Sequence, residues 1–136
     1  MSTPYVKFHS FLEAWRLGLH DFSADVLQLA LLGTLNPPDP TDTVLGDLTE
    51  ISYANLSPQV LVTLSEGFNA GIYSVEVQDL VLSATGAVET FRYVVVFNQD
   101  AINDELICFY DYGSPITFGA GEDLSIYFGA SLFTIS

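Results

Sequence analysis

The second half of the chain has the pattern of short β-strands separated by turns. From residue 58 onward, short apolar or alternating runs are divided by glycine, proline, asparagine and aspartate. Residues 72–79 alternate throughout, which is typical of a strand with one buried face, and residues 91–97 are almost continuously apolar, as in a central strand covered on both faces. Short strands at this spacing indicate an antiparallel β-sandwich or barrel.

One helix is predicted, in the opening segment. Five apolar side chains recur there at three- and four-residue spacing, which would give one apolar stripe on a helix over residues 7–19: Phe8, Phe11, Leu12, Trp15 and Leu19. Ser10 and Glu13 have the spacing of a capping box, an alternative that starts the helix a turn later. These patterns together predict a mainly β protein, an antiparallel β-sandwich or barrel with one N-terminal α-helix.

The length of 136 residues fits a single domain spanning 1–136. We divide it into an N-terminal arm or helix at 1–20, a long proline-containing loop at 33–57 and a β core at 58–136. Between the first two, residues 26–32 form a short apolar run that fits a strand better than a helix. Inside the loop, three apolar residues are spaced for one helical turn that would pin the loop to the core: Val44, Leu45 and Leu48.

Turn signals divide the β core. Gly67–Gly71 predicts a loop, and residues 85–86 predict a hairpin. Leu106–Tyr112 predicts a strand that ends at Gly113. Asp111 lies at this end, and we expect it to accept backbone hydrogen bonds in a structural turn with Gly113.

The charge of the chain excludes several classes of partner. Seventeen acidic residues face three basic ones, Lys7, Arg16 and Arg92, for a formal net charge of −14, although 49% of the residues are hydrophobic. Such a chain can bury a core and must carry its charge on the surface, which repels nucleic acid and anionic lipid and favours solubility or a basic partner. No apolar run reaches the roughly 18 residues of a membrane span. We therefore expect no nucleic-acid and no membrane partner.

No catalytic or metal-binding pattern stands out, so we predict no catalytic residue, no metal site and no cofactor. Cys108 lies in an apolar run and fits a buried structural thiol. His9 and His20 are separated in sequence and lack a third partner. The acidic cluster in residues 100–105 does not have the spacing of a calcium loop and fits a solvated turn better.

Positive charge is concentrated in the opening segment, beside apolar side chains. This combination predicts an interface with other subunits or with a protein shell, because the rest of the chain is acidic. The alternative is a helix that only caps its own sandwich. The candidate interface residues are Lys7, Phe8, His9, Trp15, Arg16 and His20.

Arg92 is the only basic residue after position 16, and it lies in the most apolar run of the chain. Since a buried guanidinium without a partner is costly, we expect a structural charge pair with a carboxylate. The candidate partners are Glu76, Asp79 and Asp111. A bridge to a neighbouring subunit is the functional alternative.

Several stretches carry a family resemblance. Val44–Ile51, Phe91–Asn98 and Leu106–Ser114 follow one another in order, and Phe118, Gly121–Glu122 and Leu124–Phe128 come after them. Together these stretches resemble small structural proteins of tailed-bacteriophage virions, and capsid decoration, or cement, proteins are the nearest role. The likeness covers most of the chain, and its motifs are structural rather than catalytic.

The resemblance implies a mainly β fold, an antiparallel β-sandwich or jelly-roll-like domain, which carries the one N-terminal α-helix predicted above. It also implies a non-enzymatic protein that is made in the host cytoplasm and lies on the capsid surface of the virion. It would stabilise the head as an oligomer, commonly a trimer, with the major capsid protein and copies of itself as partners. Two alternatives remain. One is a head-tail connector or a tail or fibre-associated virion protein; the other is a small carbohydrate-binding or hydrolytic β-sandwich, with Tyr110, Asp111 and Tyr112 at a groove.

Overall fold

The computed structural model describes residues 5–128 and 132–135 of the chain. These residues form a mainly β fold with antiparallel sheets and one short N-terminal helix, as predicted. In chain order the elements are β1 (Tyr5–Lys7), α1 (Ser10–Arg16), β2 (Leu27–Leu32), the 3₁₀ turn η1 (Leu45–Asp47), β3 (Thr63–Asn69), β4 (Ile72–Val77), β5 (Leu80–Ser83), β6 (Phe91–Asn98), β7 (Leu106–Ile116), β8 (Asp123–Ile126) and β9 (Phe133–Ile135).

A four-stranded sheet in the order β1-β7-β6-β2 carries the centre of the core. β6 lies between β7 and β2, and both of its faces are buried, as its continuous apolar run predicts. Val94 and Val96 face the larger of two apolar clusters, whereas Val95 and Phe97 face the smaller one. The predicted strand at residues 26–32 is also confirmed, as β2.

Two smaller sheets, β3-β4-β9 and β5-β8, complete the sandwich-like arrangement. Their inward side chains join the same apolar cluster as the four-stranded sheet: Tyr73, Val75, Val77, Leu82 and Ile126. The alternation predicted for residues 72–79 is therefore confirmed in β4, where every second side chain is buried.

The long loop at 33–57 covers two parts of the four-stranded sheet. Leu45 and Leu48, in and beside η1, pack on the smaller cluster, so the predicted helical turn does pin the loop to the core. Further along, the Ile51 amide donates to the Leu31 carbonyl at 2.9 Å, and the Leu31 amide donates to the Tyr53 hydroxyl at 2.9 Å. These bonds satisfy backbone groups at the outer edge of β2.

The helix is shorter than the 7–19 span predicted from its apolar stripe. Residues 5–7 form β1, which pairs with β7, and α1 begins only at Ser10. The later start was the alternative, but the capping box does not form, because the N-cap is His9 and no side chain caps the helix. The helix ends in a Schellman motif: Gly18, at φ 80°, donates to Trp15, and the next amide donates back to the C3 carbonyl.

Three predicted boundaries in the β core are wrong. β3 continues through the predicted loop, and the tight turn to β4 is made by Ala70 and Gly71, both at positive φ. Residues 85–86 do not form a hairpin, because β5 pairs with β8 whereas β6 pairs with β2 and β7. β7 continues past Gly113 to Ile116, across an irregular register opposite β6.

Candidate functional site

The candidate interface residues of the opening segment divide between the core and the surface. Phe8 and His20 are buried, and Trp15 is half-buried, with its ring 4.9 Å from that of Tyr73. These three side chains stabilise the fold of their own chain. Residues 1–4 of the predicted arm lie outside the described residues.

The remaining three candidate residues are more accessible. His9 is exposed, and Lys7 is half-buried on β1, the edge strand of its sheet. Arg16 is exposed and donates to the Glu13 carboxylate, one helical turn away. This carboxylate neutralises Arg16, so its charge is less available to a partner than the sequence suggests. Phe11 and Ala14 bury the inner face of α1, and the helix is packed as an integral part of the domain.

Arg92 pairs with Asp111, one of its three candidate partners. Arg92 Nε donates to Asp111 Oδ1 at 2.8 Å and its Nη2 donates to Oδ2 at 3.1 Å, which is a bidentate pair between β6 and β7. The same Oδ1 accepts the Gly113 amide at 2.8 Å, where Gly113 is at φ 89°. Asp111 therefore stabilises a turn, as predicted. This turn lies within β7, whereas the sequence predicted it at the end of the strand.

The two charges shift each other's protonation. The Arg92 guanidinium, and then the Gly113 amide, hold the pKa of Asp111 below its ordinary value. The hydrogen bonds to the Asp111 carboxylate in turn raise the pKa of Arg92. About 29% of the Arg92 side chain and 44% of the Asp111 side chain remain exposed, so water screens this pair substantially. The geometry fits a structural role within the chain.

A buried polar network that the sequence did not reveal surrounds His20. Asn98 is fully buried, and its Nδ2 lies 3.0 Å from His20 Nδ1 and 2.7 Å from an Asp25 carboxylate oxygen. His20 Nε2 is buried and has no hydrogen-bond partner in the described parts of the chain. Burial lowers the pKa of His20, against the opposing influence of the carboxylates of Glu105 and Asp25.

Carboxylates of the acidic loop before β7 accept backbone amides from inside and outside the loop. Asp100 accepts the Val26 amide at 2.7 Å, and Glu105 accepts the Asn103 amide at 3.2 Å. Within the described ranges, no group of three or more histidine, cysteine, aspartate and glutamate side chains could hold a metal ion. Cys108 is buried, and desolvation raises the pKa of its thiol. No described helix is long and apolar enough to cross a membrane.

The largest departure from the sequence analysis is a set of exposed apolar side chains beside β3. Val60, Val62, Leu64 and Val81 are between 40% and 55% exposed and, together with Gln78, line two adjoining shallow grooves. We call these four apolar residues the edge surface. Phe68, at the hairpin tip, is 75% exposed, and its ring lies 5.1 Å from that of Tyr73 on the paired strand.

The edge surface was not predicted because alternation defines two faces without showing which one is covered. In residues 59–62 the apolar Val60 and Val62 face outward, while the polar Gln59 is buried. Gln59 tolerates burial because its amide donates to the Ser57 carbonyl at 2.6 Å. Leu61 faces inward beside it and joins the larger apolar cluster.

Comparisons of the chain with protein-family models, with curated proteins and with solved structures found no match. The carbohydrate-binding alternative loses two of its proposed groove residues. Tyr110 is buried in the larger cluster, and Asp111 is engaged by Arg92. The edge surface is therefore the feature with the strongest functional implication.

Proposed function

We propose that the chain is a bacteriophage capsid decoration protein, a non-enzymatic virion component that stabilises the head. The observation that carries this proposal is the clustering of exposed apolar residues. Six of the thirteen large apolar side chains found exposed in the described residues lie between positions 60 and 81. Four of these six, the edge surface, line two adjoining grooves, and exposed apolar residues grouped in this way on an otherwise acidic protein favour a protein–protein docking site.

The proposed partners are the major capsid protein and copies of this chain, with a trimer as the expected oligomer. The net charge of −14 keeps unassembled copies apart in the host cytoplasm and disfavours nucleic acid and anionic membranes. Assembly on the capsid surface then depends on contacts that outweigh this repulsion. The edge surface supplies apolar area for such contacts, and Lys7 and His9 supply accessible groups on the opening segment.

Purified virions of the phage that encodes the chain test the proposal directly. Quantitative mass spectrometry should find hundreds of copies per particle, and imaging should place them on the head. Stripped heads should rebind the purified protein and withstand heat better with it. Absence of the chain from virions would overturn the proposal.

The runner-up role, a head-tail connector or a tail or fibre-associated protein, is separated by the same measurement. Such a component would be present in far fewer copies and located at the tail or at one vertex. A low copy number with tail location would replace decoration by this second role.

A further inference from the structure

β3 is an open sheet edge. In the sheet β3-β4-β9 it is the outermost strand and bonds only to β4. On its other side, none of the residues that the structure describes pairs with the backbone of Ser65–Asn69. Most of its side chains are exposed, so the strand projects at the margin of the sandwich. An open edge of this kind is a template for another strand.

The hairpin register shows which backbone groups are available. Asn69 and Ile72 flank the two-residue turn, so they are expected to exchange both of their hydrogen bonds. Alternate residues of β3, Gly67 and Ser65, then also bond to β4. The intervening residues, Glu66 and Phe68, direct their amide and carbonyl groups away from the sheet.

Neighbouring residues suit the approach of another backbone. Gly67 lies between the two outward-directed residues, and a side chain added there would meet nothing within 4 Å. A glycine inside a strand often marks a place where another backbone comes close. Phe68 and the edge surface provide apolar contacts beside the open edge.

The acidic side chains around β3 indicate what kind of segment would bind at its open edge. Glu66 lies on the open strand, and Glu76 and Asp79 lie beside the edge surface. A second copy of the chain would bring its own net charge of −14 and a second Glu66 to this edge, and opposed like charges destabilise strand pairing. Leu64, at a register shift in β3, also interrupts the flat ladder that self-pairing favours. A segment with a lysine or arginine beside apolar residues complements the edge.

We propose that β3 binds an extended segment of the shell protein as an additional antiparallel or parallel strand. Backbone hydrogen bonds to Glu66 and Phe68 hold the segment, its apolar side chains pack on the edge surface, and its cationic side chains face the neighbouring carboxylates. This inference names the docking face of the decoration protein and rests on the proposed function for the identity of the partner. Strand addition of this kind derives affinity from the main chain and specificity from alternate side chains.

A pair of substitutions at one position isolates the outward amide. Glu66→Pro and Glu66→Ala both remove the carboxylate and its 2.8 Å bond to the Tyr73 hydroxyl, but only proline removes the N–H. Proline is tolerated where a strand's N–H faces solvent, so both variants should fold, which circular dichroism and thermal melting would verify. The Kd for stripped heads, from occupancy measured by imaging over a concentration series, should be about tenfold higher for Glu66→Pro than for Glu66→Ala.

Amide hydrogen exchange of the wild-type protein provides a test that does not depend on a variant. Exchange at Glu66 and Phe68 should slow when the protein binds stripped heads. Equal Kd values of the two variants, or unchanged exchange at these amides, overturns strand addition while leaving decoration intact. If the wild-type protein does not bind heads at all, the proposed function itself fails. Dimerisation in solution that Glu66→Pro abolishes would instead make a second copy the occupant.

Discussion

At the residue scale, Asp111 holds both the Arg92 guanidinium and the Gly113 amide. Replacing Arg92 with methionine removes the bidentate pair but leaves the bond from the Gly113 amide to Asp111. Replacing Asp111 with alanine removes both, and it also leaves the guanidinium without its carboxylate. We therefore expect a small decrease in Tm for Arg92→Met and a clearly larger decrease for Asp111→Ala, measured by calorimetry on the isolated protein.

The two substitutions also show whether Arg92 has a structural role within the chain or forms a bridge between subunits. Under the structural role, both substitutions act on the isolated protein. If Arg92→Met leaves the Tm unchanged and lowers only occupancy on heads, Arg92 serves an interface. If it changes neither quantity, both roles are wrong.

His20 gives the fold a dependence on pH. Its pKa is lowered from 6.5 by burial in the folded state, so the unfolded chain binds the proton first as the pH falls. The stability contributed by neutral His20 is fully present above pH 6.5 and is lost as the pH falls from there toward the lowered folded pKa. The free energy of unfolding, from urea titrations, should therefore decrease between pH 7 and pH 5.5.

Matched histidine variants test the source of this dependence. His20→Gln should flatten the decrease, whereas His9→Gln at an exposed position should leave it in place. The carboxylates with lowered pKa, such as Asp111, act at lower pH and do not account for a change in this range. An unchanged slope in His20→Gln would show that another group is responsible.

At the element scale, the end of α1 depends on one glycine. Gly18 has φ 80°, and the space around an added Cβ is open, so Gly18→Ala has a conformational rather than a steric cost. A left-handed conformation costs a non-glycine residue about 1–2 kcal/mol, and we expect this decrease in the free energy of unfolding. Gly46→Ala is the matched control, since its surroundings are equally open and its φ is not positive. Equal effects of the two substitutions would argue against the Schellman motif.

Elements with strong local patterns were predictable, and strand pairing was not. β2 and β6 are short apolar runs whose sequence alone requires burial, and the turn at Leu45–Asp47 follows from apolar spacing. The predicted hairpin at residues 85–86 was wrong because β5 pairs with β8, which is distant in sequence and leaves no local signal. The start of α1 shifted because the Tyr5–Lys7 backbone gains bonds to β7 that a helix could not make.

Among the candidate functional residues too, features with a local cause could be predicted, and features that depend on distant parts of the chain could not. Asp111 could be included among the partners of Arg92, because the cost of an unpaired guanidinium restricts its surroundings to carboxylates. The outward orientation of Val60 and Val62 depends on which face of a strand the rest of the chain covers, and alternation cannot show this. The involvement of the opening segment in an interface stays a prediction, now centred on Lys7 and His9.

At the scale of the whole molecule, the charge of −14 determines how docking responds to salt. If the chain is a decoration protein, copies crowded on a head repel one another, and at physiological ionic strength the Debye length of about 8 Å already screens most of the repulsion between exposed groups. Backbone and apolar contacts at β3 are not screened, and exposed ion pairs contribute about 1 kcal/mol or less. Occupancy on stripped heads should therefore stay constant or rise as sodium chloride increases.

A salt series on stripped heads, analysed by gel or by imaging, checks this expectation. A matched control is the Glu76→Gln variant, which removes one carboxylate beside the edge surface; if an ion pair there contributes little, its salt response should equal that of the wild type. A protein held mainly by a strongly basic partner would behave oppositely, because ion-pair contacts weaken steeply as salt screens them. A steep loss of occupancy with added salt would therefore contradict docking through backbone and apolar contacts and would indicate a basic partner surface instead.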